Sequence, residues 1–163
     1  MPFNFILSED ILLDIVDGKP YIEQVRERIL EYTASLGRDL AFQDIDKELS
    51  NPAGKYTPPA GEVLVAYEDG TVWGMVAYHR HSDERCEMKR LYVDPGYRGR
   101  HLGEKLVKQI IEHAKKAGYK EMVLDTLEPM VPAIRLYQKS GFEVCEPYYH
   151  NPFSDVIYMK KRL

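Results

Sequence analysis

Apolar residues recur along this chain at two spacings, and the places where one spacing gives way to the other outline its elements. Residues 3–16 carry an apolar run that reads as a strand of unassigned register. Pro20 suits the first turn of a helix. Beyond it Ile22, Val25, Ile29, Thr33 and Leu36 return at helical spacing, and Gly37 ends the series. Phe42, Ile45 and Leu49 repeat that spacing in a second, short helix, and residues 51–61, rich in Pro and Gly, read as a loop.

The pattern then changes period. Residues 62–68 and 71–80 read as strands joined at Asp69-Gly70, a dipeptide that favours a two-residue hairpin. Residues 85–93 read as a third strand, stopped by Asp94-Pro95-Gly96. Leu102, Leu106, Val107, Ile110, Ile111 and Ala114 form one apolar helical stripe, closed by Gly118. Residues 121–126 read as a buried strand and residues 131–140 as a short helix closed by Gly141. Residues 142–149 and 156–163 read as two last strands with a loop between them. Helices interleaved with strands predict an α/β fold in a single domain, residues 1–163, with a right-handed parallel crossover over residues 85–125.

Composition narrows the classes. The 163 residues suffice for a core without disulfides, and the net charge of −4 argues against a nucleic-acid partner. The two cysteines, Cys86 and Cys145, form no CxxC, so neither a disulfide framework nor a structural zinc site is expected; a reducing, cytoplasmic setting is. Glu9, Asp10 and Asp14 interrupt an N-terminus that lacks the basic start of a signal peptide. No run approaches the roughly 18 apolar residues of a membrane helix. His79 and His81 alternate at a strand end without a third ligand, so no metal is expected.

The segment Tyr97-Arg98-Gly99-Arg100-His101-Leu102-Gly103 lies between the third strand and the long helix. A glycine-bearing turn at a helix start can bind phosphate through free backbone N–H groups, and arginines add charge-assisted bonds. The Walker A pattern is absent, and glycines at 96, 99 and 103 do not fit GxGxxG. Spacing alone leaves a phosphate cradle and a solvated basic turn both open.

Two motifs together carry a resemblance. Arg98-Gly99-Arg100-His101-Leu102-Gly103 resembles the Arg/Gln-x-x-Gly-x-Gly/Ala loop of the GNAT superfamily of acyl-CoA-dependent N-acyltransferases. Leu136, Tyr137, Gly141 and Phe142 match its Leu-Tyr-x-x-x-Gly-Phe motif. The stretches "SLGRDLAFQDIDKEL", "GKYTPPAGEVLVA", "EMKRLYV" and "PYYHNPFSDVIYM" resemble one group of small bacterial-type members. The resemblance implies a mixed, mostly antiparallel twisted sheet with helices on both faces. It implies acetyl-CoA as acyl donor, no metal, and direct transfer to the primary amine of a small-molecule acceptor by a monomer or homodimer.

Residue by residue, the resemblance assigns pyrophosphate binding to Arg98, Gly99, Arg100, His101, Leu102 and Gly103, with Glu104 at the helix start. It assigns the pantetheine arm to the strand of Leu91, Tyr92 and Val93. Tyr137 takes the place of the tyrosine that protonates the departing thiolate, and Glu87 that of a general base or of a partner for the substrate's charge. Tyr148, Tyr149 and Asn151 fall where the last loop borders the acceptor pocket, and Tyr32, Arg38 and Lys55 where its other wall forms. Asp125 and Thr126 end a strand near that site. The chain departs from the family pattern at His101, where the loop's middle residue is glycine, and at Met130, where asparagine is frequent. A non-catalytic acyl-CoA-binding or sensing module is the alternative of a different class; a protein lysine or N-terminal acetyltransferase is the third reading.

Overall fold

The structure, a computed structural model, describes residues 13–163. Most of the strand expected within residues 3–16, and the segment judged for a signal peptide, lie outside the described residues. The first strand, β1, runs Asp14–Asp17. Helices α1 (Ile22–Leu36), α2 (Ile45–Ser50) and α3 (Pro52–Lys55) follow, then β2 (Glu62–Glu68), β3 (Thr71–Arg80) and β4 (Arg85–Val93). Helix α4 (Leu102–Lys116), β5 (Glu121–Leu127), α5 (Val131–Lys139), β6 (Glu143–Val144) and β7 (Val156–Arg162) complete the order.

The hairpin signal is met: Asp69 and Gly70 take φ of 50° and 79°, the double positive φ that a two-residue turn needs to match strand twist. The described strands form one seven-stranded sheet in the order β1-β2-β3-β4-β5-β7-β6. Every pairing is antiparallel except β4 with β5, which α4 joins as a crossover.

Two cores sit on opposite faces of this sheet. On one, Leu106, Val107 and Ile110 of α4 pack with Leu64, Val76 and Met88, and Tyr137 of α5 joins them. On the other, Val25 and Ile29 of α1 pack with Val63, Val65, Met75 and Ala77. Each fully buried aliphatic side chain contributes about 1.5–3 kcal/mol by leaving water. Strand alternation divides the two sets, because successive side chains of β2 and β3 point to opposite faces.

Two expectations change. Residues 52–55, read as loop, form the single turn α3: Asn51 accepts from the Gly54 N–H at 3.3 Å and Pro52 occupies the first turn, a start signal inside a Pro/Gly-rich stretch. The strand read over residues 142–149 is only Glu143–Val144. The Cys145 N–H still reaches the Tyr158 carbonyl at 2.9 Å, but Pro147 has no N–H to continue the ladder. The chain leaves the sheet there and carries Tyr148 and Tyr149 elsewhere.

Candidate functional site

A one-residue irregularity in β4 builds the site. Ala77 opposes Lys89 and Met75 opposes Tyr92, so Arg90 and Leu91 together face the single residue Val76. Arg90 absorbs the bulge with φ at 61°, a left-handed conformation that strains a non-glycine residue. Before the bulge, Cys86 and Met88 enter the core under α4; after it, Leu91 and Val93 do. Alternation is broken once, so Lys89 and Arg90 lie consecutively on the α1 face with Tyr92.

The parallel pairing ends just before this bulge. Strand β4 meets β5 at Arg85↔Glu121, Cys86↔Met122 and Glu87↔Val123, and no further. Beyond Glu87 the two strands part, and a cleft opens, bordered by Tyr32, Leu91, Asp125, Met130, Tyr137 and Asn151. A small recess deepens it toward Lys89 and Arg90. Tyr137, 8% exposed, borders both spaces. Burial, with Tyr32 and Asp125 nearby, raises its pKa above that of an ordinary phenol, so the hydroxyl keeps its proton at neutral pH.

At one end of β4 lies the arginine-glycine loop. Gly99 and His101 take φ of 84° and 58°, two left-handed residues separated by Arg100. His101 is the N-cap of α4, and no side chain caps that helix. The first backbone bond into the helix comes from the Lys105 N–H to the His101 carbonyl at 3.1 Å, which leaves the preceding N–H groups of the first turn without a backbone partner. Uncapped donors at the positive end of a helix dipole fit a pyrophosphate. His101 itself, with its side chain 77% exposed, turns to Glu104 at 3.4 Å, and Glu104 also meets Lys139 at 3.0 Å. Arg98 folds back: its Nε donates to the Val93 carbonyl at 3.1 Å and its guanidinium lies 5.9 Å from the Tyr92 ring. Tyr97 stacks on Trp73 at 4.4 Å, and Arg100 lies 4.7 Å from the Tyr97 ring, which holds the loop against the sheet. His101 is thus a non-glycine residue at positive φ, and histidine is among the residue types enriched there.

The charged groups around the recess are mostly matched. Arg90, 4% exposed, gives two bonds to Glu48, from Nε at 2.8 Å and Nη2 at 3.0 Å. Lys55 reaches the same carboxylate at 3.0 Å. Burial alone would raise the Glu48 pKa, but the Arg90 bonds and charge, with Lys55, outweigh it and hold the group at about 2. Glu87, 6% exposed, has both oxygens engaged: His79, opposite it on β3, bonds Oε1 at 2.8 Å, and the Tyr148 hydroxyl donates to Oε2. Here too burial raises the pKa, and the His79 bond, the Lys89 charge and the Tyr148 bond overcome it, leaving the carboxyl at about 2.

The loop after β6 closes over β5. Tyr149 donates to Asp125, Asn151 donates to the same oxygen at 3.1 Å, and the Tyr158 hydroxyl holds the Tyr149 carbonyl at 3.0 Å. Arg38 pins the far end of the loop, giving two bonds to Asp155 at 2.6 and 2.7 Å and lying over the Phe153 ring at 5.0 Å.

The cleft therefore brings together Tyr32, Leu91, Tyr137 and Asn151 of the residues singled out from sequence. Tyr149 joins them through its bonds with Asp125 and Asn151, while Tyr148, its ring 5.2 Å from that of Tyr149, and Glu87 lie behind it and do not border the cleft. Arg38 is committed to its clasp, and Lys55 borders a separate hollow with Asp44, Lys47 and Glu48. Sequence reasoning passed over Gln43, Glu48, Lys89 and Arg90 and gave Asp125 no firm role. The Glu87–His79 pair could not be had by counting, since a turn over residues 81–84 would set His79 opposite Cys86, whereas the actual register is one residue further on, with Arg80 opposite Cys86. Nothing local marks Glu48, 42 residues from Arg90.

No group of three or more potential metal ligands occurs among the described residues, and no described helix is long and apolar enough to cross a membrane. The model of the Acetyltransferase (GNAT) family matches residues 23–142. An uncharacterized N-acetyltransferase of Schizosaccharomyces pombe is 50% identical over 141 residues, covering 85% of this chain and 86% of that protein. An acetyltransferase of the GNAT family from Staphylococcus aureus superposes with a TM-score of 0.76 at 22% identity, over 92% of this chain and 98% of the other, a likeness of fold. A GNAT family acetyltransferase from Elizabethkingia anophelis, solved with acetyl-CoA bound, superposes with a TM-score of 0.58 at 24% identity, over 74% and 82%. The parted β4 and β5, the uncapped glycine loop before α4 and these matches together establish that the chain belongs to the GNAT family of N-acetyltransferases.

Proposed function

We propose that the protein is an acetyl-CoA-dependent N-acetyltransferase acting on the primary amine of a small-molecule acceptor, by direct attack on the thioester, as a single domain in the cytoplasm. The observation that carries this reading is the continuity of one track. The uncapped start of α4 leads along the unpaired edge of β4 to a cleft walled by Tyr137 and Asp125. Backbone N–H groups of residues 99–104 would hold the pyrophosphate, and the edge at Leu91, Tyr92 and Val93 would hold the pantetheine arm. Bound acetyl-CoA supplies a thioester carbonyl to which the amine nitrogen bonds as the carbon–sulfur bond breaks. Tyr137, protonated at neutral pH, gives its proton toward the sulfur.

Glu87 enters as the anchor of Tyr148 and His79. A carboxylate held at about 2 with both oxygens bonded is a weak proton acceptor. Asp125, which borders the cleft and accepts only from neutral donors, is the better group to take the proton of an incoming ammonium. Direct transfer is supported by the thiols: burial pushes Cys86 up to about 12 and raises Cys145 as well, so neither offers a thiolate. The closed loop over Asp125, clasped by Arg38 and Asp155, favours a small amine over a protein lysine.

A panel of small amines, amino acids and peptides with acetyl-CoA, read by free-thiol release, tests the proposal. Thiol release matched by acetylated small amine is the expected result. If no acceptor releases thiol while acetyl-CoA still raises the melting temperature, the protein is a binding module and the proposal fails.

A further inference from the structure

Two charges in the recess, those of Lys89 and Asp125, have no ion-pair partner within 4.0 Å among the described residues. Lys89 is 9% exposed, and its one hydrogen bond among the described residues runs from Nζ to the Gln43 Oε1 at 3.2 Å. No carboxylate of a described residue lies within 4.0 Å of it; Glu48 is taken by Arg90 and Lys55, and Glu87 by His79 and Tyr148. An ammonium has three donors, and burying one without a counterion is costly. Burial accordingly lowers the Lys89 pKa, with Glu87 opposing, Arg90 and Lys55 adding to the fall, and Asp125 opposing it.

Asp125 is the complement. Tyr149 and Asn151 both donate to its Oδ2, both are neutral, and no described cation pairs with it. Its Oδ1 has no partner among the described residues. Lys89 and Asp125 border the same recess, with Leu91 and Tyr137 on its wall. Lys89 reaches the α1 face by ordinary alternation, and the bulge sets Arg90, already neutralised by Glu48, directly beside it.

Resting on the acetyl-transfer reading above, we infer that the acceptor is a free α-amino acid, its ammonium held by Asp125 and its carboxylate by Lys89. A zwitterion answers both charges at once, whereas a simple amine answers only Asp125. The ammonium loses one proton to Asp125, which passes it to solvent. The freed lone pair bonds to the thioester carbon, the carbon–sulfur bond breaks, and the second proton of the nitrogen replaces the one Tyr137 gives to the sulfur. Amino acid and acetyl-CoA thus yield N-acetyl amino acid, coenzyme A thiol and one proton.

The test pairs each common amino acid with its carboxamide and its decarboxylated amine, and reads thiol release by the wild-type chain. At least one amino acid should exceed both of its partners by roughly 100-fold in kcat/KM, the scale of a lost buried charge pair. In Lys89→Met the KM for that amino acid should rise by roughly 100-fold while acetyl-CoA affinity, measured by calorimetry, holds. Carboxylate-free amines that react as well as the amino acids overturn the acceptor assignment and leave acetyl transfer standing. Equal loss of kcat for both classes in Lys89→Met overturns it too, because Lys89 would then act on the thioester oxygen. Silence with every acceptor overturns both readings.

Discussion

At the scale of the residue, His101 and Tyr137 mark the two ends of the acetyl-CoA track. His101 carries a left-handed φ of 58° at the entrance to α4. That conformation costs a non-glycine residue about 1–2 kcal/mol, and glycine would return about 0.5–1 kcal/mol of it through the freedom it adds to the unfolded chain. His101→Gly should therefore change unfolding free energy by no more than about 1 kcal/mol in a urea titration, and acetyl-CoA affinity by no more than a few-fold, since backbone N–H groups make the contact. A large loss of affinity would assign the contact to the imidazole. The Tyr137 hydroxyl has no partner among the described residues, so Tyr137→Phe leaves no orphaned group behind. Its kcat should fall about 10²–10⁴-fold, with acetyl-CoA affinity and the melting temperature nearly unchanged.

At the scale of the element, the bulge in β4 and its anchor on α2 decide the shape of the cleft. Arg90 is strained and buried, and Glu48 is what holds it. Glu48→Ala leaves a buried guanidinium without its counterion, with only the Nη1 bond to the Gln43 Oε1 at 3.0 Å remaining, and should cost about 3–5 kcal/mol by chemical denaturation. A loss below about 1 kcal/mol would mean that water reaches Arg90 and that the bulge does not depend on the pair. Elements with local signals were legible in the sequence. Asp69-Gly70 and Asp94-Pro95-Gly96 bound β2, β3 and β4 at residues 62–68, 71–80 and 85–93, as the structure has them. The bulge was not legible, because the residue at positive φ is an arginine rather than the glycine that would announce it. The short β6 was hidden for a different reason. Residues 142–149 alternate like a strand, and only Pro147 hints that the ladder stops there.

At the scale of the molecule, motif and order of elements carried the family, while the charged interior came only from contacts distant in sequence. Glu48–Arg90, Arg38–Asp155 and Asp125–Asn151 join elements that no local pattern links. Those contacts also set the response to acid. Glu48 and Glu87 are both held at about 2 in the fold against an ordinary 4.5, so between those values the unfolded chain binds more protons than the folded one. The stability they contribute is complete above about pH 4.5 and is lost as pH falls toward 2. Melting temperature should be flat from pH 7 to 5 with respect to these groups and should drop steeply below 4.5. An unchanged melting temperature at pH 3 would contradict the buried pairs.

One track for acetyl-CoA, from the start of α4 along β4 to Tyr137, underlies the proposed chemistry. A crystal structure with acetyl-CoA bound tests it most directly. Pyrophosphate oxygens should sit on the N–H groups of residues 99–104, the pantetheine arm should pair with Leu91 and Val93, and the sulfur should lie within hydrogen-bond reach of the Tyr137 hydroxyl. A pyrophosphate seated elsewhere, or a thioester outside the gap between β4 and β5, would contradict it.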